Sequence, residues 1–306
     1  MESKILHENH IKDDLLKFKT QLQKDGYVII PDVFNETEID EYKKEFFDWY
    51  NKVEGLKEFH DEVSAHGIFK YHQVGHQRFA WLARTNEKII DIFKTLWDTD
   101  ELVSSFDGCC YYPHDYIDTP QYWTHTDQSS KKQGLYCYQS FLSLTDNSQR
   151  TLIVYKGSHH LHQDYFNTMK ISTDNDWNII DQNYLQKIAD TKQIINVKKG
   201  SLVVWDSRTF HQNTCGSLTC EEERLVQYLC YLPKNATRNT SQQQQIRRNS
   251  FNNLRTTNHW PYLMANVALQ PMSYNYCNPD DAIFIDYESL PPPRLEDLKE
   301  KIEQLL

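Results

Sequence analysis

The chain of 306 residues is long enough for one large domain with insertions or for two small ones. Its net charge of −10 disfavours broad nucleic-acid binding, which needs many cationic contacts to phosphate. With 7 Trp, 19 Tyr and 14 Phe and a mean hydropathy of −0.73, it has material for an aromatic core under a polar surface, which argues against general disorder.

The seven cysteines, Cys109, Cys110, Cys137, Cys215, Cys220, Cys230 and Cys277, contain no CxxC and no repeated spacing. They read as free thiols in a reducing compartment. No apolar leader follows Met1 and no run of 18 apolar residues occurs. The expectation is a soluble, cytoplasmic protein with no membrane partner, and no pattern speaks to oligomeric state.

Ile11, Leu15, Phe18 and Leu22 recur at helical spacing, and Gly26 stops the run. Residues 27–30 form a short β-type run closed by Pro31. Asn35 and Glu38 make a capping-box signature. Ile39, Tyr42, Phe46, Trp49, Tyr50 and Val53 then mark the buried face of a helix of about four to five turns. A second amphipathic helix covers 86–97. From 101 onward the pattern changes to short β-rich runs, at 101–112, 134–144, 151–155, 193–197, 201–206 and 224–232. Many short strands with turns imply a sandwich, jelly roll or barrel. Residues 160–190 read as an inserted helix-and-loop excursion, and 235–259 as a helix or mobile flap. Leu295, Leu298, Ile302 and Leu305 form one face of a C-terminal helix. The expected organisation is a single domain over 1–306, mainly β with flanking helices. A helical N-terminal cover (1–100) precedes a jelly-roll core (101–235) and a C-terminal extension (236–306).

His125 and Asp127 are two residues apart and would share one face of a strand. Side by side they supply two ligands of a 2-His-1-carboxylate triad, which holds Fe(II) and leaves other positions open. A second imidazole is available at His211, just past the apolar strand 202–205; taken alone, it reads as an ordinary hydrogen-bonded His. Arg224 shares its alternation with Val226, Tyr228 and Cys230. An inward Arg is costly unless an anion meets it, and its fork suits a carboxylate. An exposed strand mouth after Glu221-Glu222-Glu223 is the other reading.

Together with Asp25-Gly26-Tyr27-Val28-Ile29-Ile30-Pro31 and Lys156-Gly157-Ser158-His159, these pieces resemble the phytanoyl-CoA dioxygenase-like family of Fe(II)- and 2-oxoglutarate-dependent oxygenases, over roughly residues 20–235. The family's turn is usually Pro-Gly-Ser-His, so Lys156 departs from it. The resemblance implies a double-stranded β-helix, a distorted, cupin-like jelly roll. It implies a catalytic Fe(II) held by His125, Asp127 and His211. The co-substrate 2-oxoglutarate would chelate that iron and pair its far carboxylate with Arg224, with O2 at the remaining position. Asn213 matches a position that often hydrogen-bonds the co-substrate, and Tyr112, Gln128 and Gln139 are further candidates for lining its pocket. The implied reaction hydroxylates a C–H bond of a small-molecule substrate and releases succinate and CO2. Asp127 separates the chain from related halogenases, in which a small residue leaves room for halide. Two other readings stay open: a cupin-like binding or scaffold protein without turnover, and a zinc hydrolase, which does not need Arg224.

His76, Gln77, Trp81 and Arg84 are candidates for the substrate mouth, with core packing as the alternative for Trp81. His72 and His76, four apart, could hold zinc on a helix but lack the Glu of H-E-x-x-H. His159 is expected to be structural, with His160 and His162 exposed. Arg247, Arg248 and Arg255 either meet an anionic substrate or form a solvated helix face.

Overall fold

Two antiparallel sheets form the centre of the computed structural model, which describes residues 2–57, 65–117, 119, 121–272, 283 and 285–306. Side chains are described from Asp14 onward, Ala65 excepted; the expected inward Ile11 and the thiol of Cys277 lie outside them. The larger sheet runs β1 (Tyr27–Ile30), β10 (Leu202–Asp206), β6 (Tyr138–Ser143), β12 (Arg224–Pro233), β4 (Cys109–Tyr112) and β2 (Ile68–Phe69), with β3 (Leu102–Ser104) also on β12. The smaller sheet runs β8 (Trp177–Ile179), β5 (His125–Asp127), β11 (His211–Asn213), β7 (Leu152–Tyr155) and β9 (Lys192–Ile194). From β4 to β7, and again from β9 to β12, consecutive strands alternate between the two sheets in the manner of a distorted jelly roll.

The larger sheet's strands are apolar on both faces because both faces are covered. Leu142, Leu202, Val204, Leu225, Leu229 and Tyr231 join the helices in one cluster. Phe141, Val203, Trp205 and Val226 meet Leu152 and Val154 of the smaller sheet in another. This is the period-two division expected of strands. The covering helices are α1 (Glu2–Asp25), α2 (Glu36–Tyr50), α3 (Arg78–Arg84) and α4 (Glu87–Trp97). The start of α2 is the predicted capping box: Asn35 Oδ1 accepts from Glu38 N, and Glu38 Oε2 accepts from Asn35 N. That helix buries Ile39, Tyr42, Phe46, Trp49 and Tyr50 but ends before Val53.

Three expectations are revised. The run 101–112 is broken into β3 and β4, because Phe106 turns aside to bond the distant Thr257 through both its N–H and its C=O. The excursion at 160–190 holds α5 (Ser158–Met169) and α6 (Gln182–Lys187), and also contributes β8, the strand beside β5. The C-terminal extension is part of the core: after α7 (Ser241–Asn252), α8 (Lys299–Gln304) and the two residues that follow it bury Ile302, Leu305 and Leu306 in the main cluster. Among the described residues, no helix is long and apolar enough to cross a membrane, and the six described cysteines are buried.

Candidate metal centre

His125 on β5 lies directly opposite His211 on β11, with ring centroids 4.4 Å apart. Asp127 follows on the same face. Its Oδ2 is 3.4 Å from His125 Nε2 and 3.3 Å from His211 Nε2. The three ligand atoms lie within 4.8 Å of one another, and all three residues are buried. His125 Nδ1 is 2.9 Å from the Trp123 carbonyl, and His211 Nδ1 is 2.9 Å from that of Thr209. A carbonyl only accepts, so in each neutral ring the proton sits on Nδ1 and Nε2 keeps its lone pair. Burial, and then the His125 ring, lower the His211 pKa and so favour that neutral form. Burial works to raise the Asp127 pKa, but the positive charge that the His125 and His259 rings carry when protonated outweighs it and holds the carboxyl well below its ordinary range, so the carboxyl gives up its proton before the rings give up theirs. Two lone pairs and a carboxylate thus converge with no proton between them. A cation relieves that repulsion, and this donor set on one side of a cavity suits Fe(II).

The turn that delivers His211 is tightly specified. Asp206 Oδ1 accepts from Arg208 N at 2.9 Å, an Asx turn, and the Arg208 guanidinium grips the same carboxylate. Ser207 O accepts from Asp127 N at 2.9 Å. Ser158 Oγ accepts from Phe210 N at 2.8 Å, and Thr209 Oγ1 donates to Gly26 O at 2.8 Å. Gly26 has φ +81°, and a Cβ there would stand 2.6 Å from His159 Nδ1 and 2.8 Å from Thr209 Oγ1. The Asp-Gly and Gly-Ser-His motifs therefore meet on this turn. His159 is structural, 3.0 Å from Gln23 O, and His160 is exposed. His162, expected outside, is buried against Gln128 O at 2.9 Å because it lies on the inner face of α5.

The triad opens on a cavity of about 370 Å³, walled by Trp123, Trp177, Trp205, Ile68, Leu152 and Val267. Asp107, Gln139, Asn213, Tyr228, Asn258 and His259 add polar groups to its lining. Trp123 and Trp177 flank the His125 ring at 4.9 and 5.6 Å. A second cavity, of about 450 Å³, shares Trp123 and Asn213 with it and includes Tyr112. Arg224 is fully buried behind these walls. Its guanidinium meets Asn213 Oδ1 at 3.2 Å and Cys110 Sγ at 2.8 Å, and it lies 5.4 Å from the Phe141 ring centre. Burial opposes its charge, yet Cys110, Tyr228 and Tyr112 beside it raise its pKa. Among the described residues no carboxylate pairs with it.

Gln139 sits where it can act, its Nε2 donating to Asp127 Oδ2 at 2.9 Å. Asn213 bridges Arg224 and Tyr228, donating to the Tyr228 hydroxyl at 2.9 Å. Gln128 does not line the cavity: next to Asp127 on the chain, it points the other way and binds Lys132 O, Gly134 O and Ser207 Oγ. The four mouth candidates are also displaced. His76, Trp81 and Arg84 are buried in the core; His76 Nε2 meets Arg255 O, and Arg84 donates to the Gly75 and Asp107 carbonyls under the Trp81 ring. Gln77 stands at the N-cap position of α3 without a side-chain cap, and its side chain donates to Gln73 O. The pairing of His72 with His76 fails too: His72 has φ +56°, which breaks any helix there, and its Nδ1 meets the Tyr287 hydroxyl. Arg247 is buried on the neutral oxygens of Ser104, Asn239 and Pro261, Arg248 pairs with Glu303, and Arg255 donates to Val267 O. Trp177, Asp107 and His259 went unread. Trp177 sits on a three-residue strand inside the apparent loop, and His259 beyond the recognisable motifs.

The protein-family model for phytanoyl-CoA dioxygenase matches residues 22–214. The chain belongs to the phytanoyl-CoA dioxygenase family. Membership makes it an enzyme of the iron- and 2-oxoglutarate-dependent oxygenase type, with the His-Asp-His site such an enzyme needs. This family member is 29% identical over 255 residues to "Ava biosynthesis cluster protein O" of Aspergillus versicolor, a match covering 71% of this chain and 77% of that protein. Its fold is similar to that of the epimerase SnoN, solved with Fe3+, alpha-ketoglutarate and nogalamycin RO. The TM-score is 0.50 at 17% identity, covering 72% of this chain and 84% of that one. EctD from S. alaskensis, solved with 2-oxoglutarate and 5-hydroxyectoine, gives a TM-score of 0.49 at 18% identity, covering 70% and 74%.

Proposed function

We propose that this family member hydroxylates a C–H bond of a small-molecule substrate, using Fe(II), 2-oxoglutarate and O2. The observation that carries the reading is the convergence of His125 Nε2, His211 Nε2 and Asp127 Oδ2 on one point, with both Nδ1 protons committed to carbonyls. When bound, iron and 2-oxoglutarate supply the oxidising chemistry: one oxygen atom of O2 enters the substrate as hydroxyl, the other enters succinate, and CO2 leaves.

The chain's own residues supply binding and orientation. Trp123 O and Thr209 O fix the ring orientation of the two histidines, and Gln139 fixes the carboxylate. Arg224 is a buried cation with only neutral partners, which is costly without an anion. The far carboxylate of 2-oxoglutarate would meet that need, and a guanidinium suits a carboxylate. Asn213 and Tyr228, which line the cavity and join Arg224 through hydrogen bonds, would hold the same carboxylate. The three indoles give the substrate a largely apolar, aromatic enclosure that keeps water from the reacting C–H bond. The carboxylate at Asp127 occupies the position where a halide would have to bind, which favours hydroxylation over halogenation.

The test is anaerobic reconstitution. With Fe(II) and 2-oxoglutarate the full chain should develop a weak visible charge-transfer band and, in air, form succinate. Replacing Arg224 by Lys should raise the concentration of 2-oxoglutarate needed by about tenfold or more while leaving Fe(II) affinity unchanged, since Lys lacks the planar fork. Absence of both band and succinate refutes the oxygenase reading, and loss of Fe(II) affinity in R224K refutes the role given to Arg224.

A further inference from the structure

Residues 254–267 lie beyond the stretch matched by the family model, yet they form a strap against the metal centre. The strap is firmly held. Thr257 N donates to Phe106 O, and Thr257 Oγ1 accepts from Phe106 N, both at 2.9 Å. Thr256 Oγ1 accepts from Gly75 N at 3.1 Å. Thr257 pairs across the strap with Asn266, and the buried Arg247 donates to Pro261 O at 2.9 Å. Trp260 Nε1 donates to the backbone carbonyl of Asp127 itself, at 3.1 Å.

This anchoring brings His259 Nε2 to 3.7 Å from Asp127 Oδ1. Both atoms are buried and neither has a hydrogen-bond partner. The other carboxylate oxygen, Oδ2, faces the two triad imidazoles and Gln139. One oxygen is thus turned toward the metal position, and the second is left without a hydrogen bond, 3.7 Å from His259 Nε2. A buried carboxylate oxygen needs a donor, and groups that bind the free oxygen of a metal-ligating carboxylate hold it in its ligating orientation.

We propose that His259 is a positioning residue of the metal centre: its Nε2–H donates to Asp127 Oδ1 and locks the carboxylate with Oδ2 toward the cation. The gap closes to about 2.9 Å, the length of an ordinary N–H···O bond, by a small turn of the imidazole on the fixed strap. The inference rests on the iron reading. It adds that the region after the family core completes the metal site.

The experiment titrates Fe(II) anaerobically into the full chain, followed by tryptophan fluorescence, since Trp123 and Trp177 flank His125. Wild type, H259A and H259Q are compared, and the melting temperature of each metal-free protein is recorded. In H259A the Kd for Fe(II) should rise about 10- to 100-fold with melting unchanged. In H259Q, whose amide can still donate, it should return to within a few-fold of wild type. The charge-transfer band with 2-oxoglutarate should shift in H259A and recover in H259Q. Wild-type affinity in H259A overturns the proposal, as does equal weakening in both variants. If wild type itself binds no Fe(II), the iron reading fails first and this inference falls with it.

Discussion

Asp107 shows how a single side chain in the cavity wall couples to pH. It is buried, with Oδ1 accepting from Ser105 Oγ at 3.2 Å and Oδ2 without a partner. Burial raises its pKa to about 6, against the pull of the Arg84 charge. Between the unfolded value, about 3.9, and 6, the folded chain holds a proton that the unfolded chain has released, so stability falls as pH rises through that window. Above 6 the cost is constant, on the order of 2–3 kcal/mol. Replacing Asp107 by Asn removes the titration. The melting temperature of D107N relative to wild type should therefore climb from pH 4 to pH 6 and level off beyond it, by several degrees in all. A difference independent of pH would show that the carboxyl does not titrate as its burial requires. The same scale explains what a sequence hides. Arg224 alternates visibly with Val226 and Tyr228, so its inward side could be read. The environment of Asp107 is made by burial and by Arg84, distant along the chain, and nothing in the adjoining sequence signals a raised carboxyl.

Elements and turns hold the ligands in register. His211 reaches the triad only because the turn 206–210 is tied to Gly26, Ser158 and Asp127. Alanine at Gly26 meets two obstacles at once: a left-handed φ of +81° and a Cβ that would stand 2.6 Å from the His159 ring. G26A should cost about 1–3 kcal/mol in thermal or denaturant unfolding. It should also weaken Fe(II) binding, since the turn that moves carries His211. Unchanged melting with unchanged iron affinity would mean that the motif does not brace the site. The elements were legible where local chemistry fixes them. Asn35 and Glu38 announce a capping box, and the apolar run 202–205 announces a strand covered on both sides. They were hidden where distant partners decide. The strand Trp177–Ile179 exists because β5 offers it an edge, and the break between β3 and β4 exists because Thr257 claims Phe106. Gln128 was misassigned because the period-two rule that joins His125 to Asp127 sends its neighbour to the opposite face.

At the scale of the molecule, the larger sheet separates two tasks. One face looks across to the smaller sheet and the triad; the other is covered by helices from both the N-terminal region and the C-terminal stretch. Ile302, Leu305 and Leu306 are buried in that second cluster with Leu22, Phe93 and Leu96. Leu305 O accepts from Ser104 N at 3.1 Å, joining this segment to β3. Arg78 adds a polar clamp, reaching Asp297 Oδ1 at 2.6 Å and Glu41 Oε1 at 3.3 Å. Removing apolar volume here should therefore lower stability without touching the site. The double variant I302A/L305A deletes two buried side chains at about 2–5 kcal/mol each, less whatever the cluster recovers by relaxing. It should unfold at clearly lower denaturant concentration. Below its melting transition, its folded fraction should bind Fe(II) with wild-type affinity, because no residue of the triad or of the turn 206–210 belongs to this cluster. Combining I302A/L305A with G26A then gives a direct measure of the separation: costs that add within about 0.5 kcal/mol keep the two faces independent, whereas a larger coupling would mean that the helical cover also sets the geometry of the metal centre.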